Sequence, residues 1–162
     1  MKKYFLLIIF FFTSFSSLAN EIAIVDINFL LKNSNEGKAI DKEFKSQSEK
    51  NLNSFKKKEK GLKEKENKIA SKKNVLSKED FKKEVQAFSE EVKKYNKERK
   101  EKINKTNNQN NEKVVKLLKK INSILIDYSK ENNISTTLDK KYVIMTKSEN
   151  DITEKILKIL NK

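Results

Sequence analysis

Cysteine, histidine, proline and tryptophan are absent from the 162-residue chain, and glycine occurs only twice. Without Cys or His there is no zinc finger, disulfide framework, catalytic thiol, haem ligation or Ser-His-Asp triad. No cysteine is present to carry a lipid anchor. Gly37 and Gly61 stand alone, far from any glycine-rich phosphate loop, which excludes nucleotide-driven work and leaves no cofactor to expect. With no Pro and almost no Gly, a turn-rich β-sandwich is disfavoured and long helices become the default.

What the chain has in abundance is charge. Charged residues make up 37% of it, and 37 Lys and Arg against 23 Asp and Glu give a net charge of +14, so its partners should include something negative. Lys2 and Lys3 precede an unbroken apolar run from Tyr4 to Phe12, after which Thr13 to Ser17 turns polar and small. Ser17-Leu18-Ala19 then offers small residues for cleavage between Ala19 and Asn20. This is the layout of a cleavable export signal, and its apolar run is shorter than the roughly 18 residues a spanning helix needs. Losing residues 1–19 removes two Lys and no acid, so the mature chain carries +12. Six of the fourteen aromatics go with it, leaving too few for one compact core of ordinary size. An exported chain is not expected to work on DNA or RNA despite its basic charge.

The mature chain opens on a β-branched run, Ile22-Ala23-Ile24-Val25-Asp26, that predicts a short buried strand. One or two helical turns follow over Ile27–Leu31, closed by Asn33-Ser34-Asn35. From Glu36 to about Ser71 no strong breaker occurs, and Phe55, Leu62 and Ile69 recur every seventh residue while their companions Glu59 and Glu66 are acidic. Such a half-polar seam fits a slender two-helix arm. Ser77-Lys78-Glu79-Asp80 resembles a capping box and starts a return helix on which Phe81, Val85, Phe88, Val92 and Tyr95 alternate at spacings of four and three. Asn104–Glu112 is nearly all polar and predicts a loosely packed zone with scope to flex. Apolar density returns from Val114 to Tyr128, the section expected to anchor the arm, and Asn132-Asn133 ends the helix. Ile134–Leu138 and Tyr142–Thr146 then predict a β-hairpin turning at Asp139-Lys140-Lys141, followed by an amphipathic helix over Ile152–Leu160. Three short strands are too little to be stable alone, which points to strand pairing between subunits.

An export signal, a strand reading Ile22-Ala23-Ile24-Val25-Asp26, a Lys-rich helical hairpin, a β-prone tail and a helix opening Asp151-Ile152-Thr153 together resemble the Skp (OmpH-like) family of periplasmic chaperones. The resemblance spans the mature chain and is most specific at Ile22–Asp26 and Ile134–Leu160, the coiled-coil middle being generic. It implies an α+β, predominantly helical protein, a homotrimer whose small β-rich body bears one long antiparallel two-helix arm per subunit. It implies an ATP-independent holdase in the periplasm that keeps unfolded outer-membrane β-barrel proteins soluble. On that pattern residues 1–19 are the signal, 20–35 and 113–162 the body, and 36–112 the arm with its tip near 71–77. Ile22, Ile24, Val25, Ile134, Leu138, Val143 and Met145 are then the candidate oligomerisation residues.

The Lys clusters have two readings. Lys57, Lys72, Lys73, Lys82, Lys83, Lys94 and Arg99 can be a solvated helix face, or a basic arm that attracts acidic clients and anionic lipid such as lipopolysaccharide. Carboxylates such as Glu59 and Glu90 sit four residues before Lys63 and Lys94, the pattern of solvated ion pairs rather than of acid–base catalysis. A holdase needs no reactive group. An envelope coiled-coil scaffold and a lipid-surface binding module are the other function classes; the first predicts a rod without a trimeric body, the second binding to acidic vesicles without client protection.

Overall fold

The computed structural model describes residues 21–162, so the signal and its Ala19–Asn20 cleavage site lie outside the described residues. The elements are β1 (Glu21–Val25), α1 (Ile27–Asn33), α2 (Asn35–Ser71), α3 (Lys78–Glu131), β2 (Ile134–Asp139) and α4 (Thr153–Leu160), with single 3₁₀ turns at Lys140–Tyr142 and Ser148–Asn150. At 1.5 Å per residue, the 37 residues of α2 run about 55 Å.

Polar caps set the helix limits. Asp26 accepts from the Phe29 N–H at 2.8 Å to start α1, and Ser34 Oγ accepts from the Gly37 N–H at 3.1 Å to start α2. Ser77 Oγ accepts from the Asp80 N–H at 3.1 Å to start α3, but the expected box is not reciprocal. Asp is too short to reach back to the Ser77 amide, and its carboxylate takes the Ser77 hydroxyl instead, at 2.7 Å. Asn133, with φ of 54°, supplies the left-handed residue after α3. Ser34 is fully buried at the α1–α2 kink, and a Cβ on Gly37 would stand 1.8 Å from the Leu31 carbonyl oxygen. Glycine is thus required at this kink for close approach rather than for an unusual φ.

The predicted β-hairpin does not form. β2 pairs in parallel with β1, Ile22 opposite Thr136 and Ile24 opposite Leu138. The turn sequence Asp139-Lys140-Lys141 has neither the Gly nor the Asn that a tight hairpin turn favours at positive φ. The Asp139 carboxylate instead accepts from the Lys141 N–H at 3.2 Å and winds Lys140–Tyr142 into a 3₁₀ turn. Tyr142–Thr146 joins no ladder among the described residues. A single further bridge, in which the Ile24 carbonyl accepts from the Ile152 N–H at 2.9 Å, brings the start of α4 onto β1.

The core gathers where these pieces meet. Ala23 and Val25 from β1, Leu30 from α1, Leu117, Ile121 and Leu125 from α3, and Ile152, Ile156 and Leu160 from the α4 region form one buried cluster. The apolar section Val114–Tyr128 supplies its long-helix wall. α3 runs unbroken through Asn104–Glu112, where Thr106 is buried and most of its neighbours are exposed.

Candidate functional site

The arm is α2 laid antiparallel on the first two-thirds of α3, and its outer half carries most of the charge. Residues 56–100 hold 17 basic and 9 acidic side chains, leaving on the distal arm +8 of the +12 carried from Asn20 onward. Within the hairpin, Phe55, Ile69 and Tyr95 are buried, while Leu62, Phe81, Phe88 and Val92 are half-buried and Val85 is 42% exposed. The seam is therefore narrow, as expected where every other layer is polar.

A ladder of cross-helix polar pairs runs beside the seam. Nearest the body, Lys120 meets Glu36 at 3.1 Å and Lys113 meets Glu43 at 2.5 Å, the acid on α2. At mid-height the Asn51 amide donates to Thr106 Oγ1 at 2.9 Å, and that hydroxyl donates to the Lys102 carbonyl at 3.0 Å. Beyond it Lys58 meets Glu98 at 2.6 Å, Lys65 meets Glu91, and Lys72 meets Glu84 at 2.7 Å, now with the base on α2. The polarity of the ladder reverses across the neutral Asn51–Thr106 pair. A one-heptad slip in one sense sets Lys58 against Lys105 and Glu36 against Asp127, but it also sets Lys65 against Glu98, Lys72 against Glu91 and Glu43 against Lys120, so the charge pairs alone do not fix the register. The Lys58 ammonium, hydrogen-bonded to Glu98, holds that carboxyl below its ordinary pKa.

Arg99, the one arginine among 37 basic residues, occupies the middle of the arm. Its guanidinium lies 5.4 Å over the Phe55 ring and 3.8 Å from Glu59, and Glu59 accepts the Tyr95 hydroxyl at 2.6 Å. Burial pushes the Tyr95 phenol above its usual pKa, and the hydrogen bond to Glu59 adds to the shift. Among the other basic candidates, Lys57, Lys73, Lys82 and Lys94 are exposed, Lys83 lies 3.8 Å from Asp80, and Lys72 belongs to the ladder. Arg99 thus serves the hairpin itself, stacked and paired in a way Lys cannot copy.

The body candidates divide. Ile24 and Val25 are buried in the core region, and Ile134 and Val143 are half-buried. Ile22, Leu138 and Met145 are 48%, 42% and 88% exposed, and Tyr142 and Ile144 beside them are more than three-quarters exposed. Periodicity alone gave no role to Tyr142 and Ile144 beyond a strand that does not form. Asp151 is fastened here by Lys140 at 2.7 Å and accepts from the Thr153 N–H at 3.0 Å. Burial pushes its carboxyl up, but the Lys140 ammonium and the Thr153 hydroxyl and amide outweigh that and hold its pKa below the usual value. Among the described residues no cluster of three acidic side chains could hold a metal ion, and no helix is long and apolar enough to cross a membrane.

The model of one protein family, described as outer membrane protein (OmpH-like), matches residues 21–160. The fold is similar to the crystal structure of a candidate outer membrane chaperone (OmpH-like) from Caulobacter crescentus CB15, with a TM-score of 0.80 at 13% identity, over 87% of this chain and 83% of that one. No curated protein matches at a significant level.

Proposed function

The chain belongs to the OmpH-like family of outer membrane proteins, and on that premise we propose that it is a chaperone of the periplasm that holds unfolded outer-membrane β-barrel proteins without ATP. The family and the structural neighbour support the chaperone role. One observation carries the finer reading: a 37-residue helix projects from a small core on a narrow seam, and its outer half concentrates positive charge. Arms of this kind have little apolar core of their own to protect and much surface to offer. Charge attraction speeds capture and is readily reversed, which suits a protein that must pass its client on. No chemical step is needed, so the protein is no enzyme.

Clients are held in a cavity between basic helical arms, and such a cavity requires several arms. The exposed Tyr142, Ile144 and Met145, with Ile22 and Leu138 on the two strands, supply apolar surface for a homotrimeric body, and the short Ile144–Thr146 segment, whose backbone has no hydrogen-bond partner among the described residues, is available to a neighbouring subunit. In this arrangement residues 20–35 and 113–162 form the body and 36–112 the arm, and Lys57, Lys73, Lys82 and Lys94 face clients. The +8 distal arm also favours a second reading, attraction to anionic lipid headgroups, lipopolysaccharide included.

The test is light scattering after an unfolded outer-membrane β-barrel protein is diluted from urea into ATP-free buffer, with and without the chain from Asn20, at low and high salt. Suppression near three subunits per client, weakened by salt, is the expected result. Equal aggregation with and without the chain overturns the holdase reading, and binding to acidic vesicles alone would leave the lipid reading in its place.

A further inference from the structure

The two legs of the arm join the body differently. α3 passes from tip to core without a break, its inner half carrying Leu117, Ile121 and Leu125. α2 is separated from the body by the kink at Ser34, and a helix that begins at a kink has free N–H groups in its first turn. Ser34 Oγ satisfies that of Gly37. The Asn35 N–H is satisfied from 126 residues away: it donates to Asn161 Oδ1 at 2.8 Å. Asn161 is the C-cap of α4, so the negative end of one helix dipole meets the positive end of the other. α4 is itself held firmly, with Ile156 and Leu160 buried in the core.

We propose that Asn161 is a positioning residue, a latch that fastens the root of α2 to the body through α4. With the latch made, the arm stands on two legs and resists bending in the plane of the hairpin. With it open, the root of α2 is left to the buried Ser34–Gly37 kink, to Ile40 on the core and to the Lys120–Glu36 and Lys113–Glu43 pairs, and its first turns open more often. The latch concerns how the arm is mounted and holds whatever the arm carries.

Amide hydrogen exchange on the full mature chain tests this with two variants. Asn161→Ala removes the acceptor. Exchange over Lys38–Phe44, whose amides lie beyond the lost bond, should then quicken about five- to tenfold, the scale of one ordinary hydrogen bond. Exchange at Phe55–Ile69 and at Leu117–Leu125 should stay as it was. Asn161→Asp keeps an acceptor, and its charge is favoured by the N-terminus of α2 and opposed by the C-terminus of α4, so Lys38–Phe44 should exchange close to the parent rate and well below that of Asn161→Ala. The latch is overturned if Asn161→Ala changes only Asn35 or nothing, if Asn161→Asp is as loose as Asn161→Ala, or if the faster exchange spreads through Leu117–Leu125, which would mean that Asn161 only supports the core.

Discussion

Body and arm are held together by opposite means. The body closes over nine buried apolar residues drawn from four elements and needs few polar contacts to do so. The arm buries Phe55, Ile69 and Tyr95, and otherwise depends on exposed charge pairs and one amide–hydroxyl bridge. Exposed ion pairs contribute roughly 0–1 kcal/mol each, a buried Leu or Ile side chain several times that. Stability therefore resides at one end of the molecule, while the other end is kept in register by contacts too weak to make it stiff.

The sharpest way to break this comparison is to empty the core. Ile121→Ala or Ile156→Ala, both fully buried, should cost about 2–5 kcal/mol in urea unfolding. An equal loss from Leu62→Ala would show that the arm shares the load after all. Gly37→Ala should come next, at about 1–3 kcal/mol, because the new methyl meets backbone at Leu31 rather than a movable side chain. Smaller again, Arg99→Lys should lower the melting temperature slightly while Lys94→Arg leaves it unchanged, since only Arg99 stacks on Phe55. Reversing Lys65→Glu should loosen the distal hairpin at low salt, and adding Glu91→Lys should restore it; indifference to both changes would make the ladder ornamental.

The smallest effect is in pH. The folded-state pKa of Asp151 is depressed, so its contribution is present above the unfolded value and is lost as pH falls through the folded one. Acid strong enough to protonate Asp151 should release Lys140 and loosen the Asp151–Thr153 start of α4, and Asp151→Asn should abolish that step in a circular-dichroism titration.

Much of the helical part was legible because its signals are local. Ser77 and Asn133 bracket α3 by their own side-chain and backbone preferences, and the spacing of Phe81, Phe88 and Tyr95 needs nothing beyond one helix to be read. The failures lie where the partner is remote. Ile134–Leu138 has strand propensity wherever it pairs, and propensity cannot distinguish a neighbour four residues on from β1 more than a hundred residues back. Within Asn104–Glu112 the Asn51–Thr106 pair across the hairpin was likewise out of reach, since a polar contact leaves no periodic trace. Gly37 gave no signal at all, since what matters there is the carbonyl of Leu31 folded against it.

The parallel pairing of β1 with β2 also sets an order in time. β1 comes first among the described elements, yet its partner strand follows only after both long helices. Contacts so distant in sequence form late, whereas the hairpin about residues 72–77 can zip from its tip as soon as α3 begins to emerge. The arm is thus assembled before the base that will carry it, and Ile22–Val25 waits, uncovered, until the strand at Ile134 arrives.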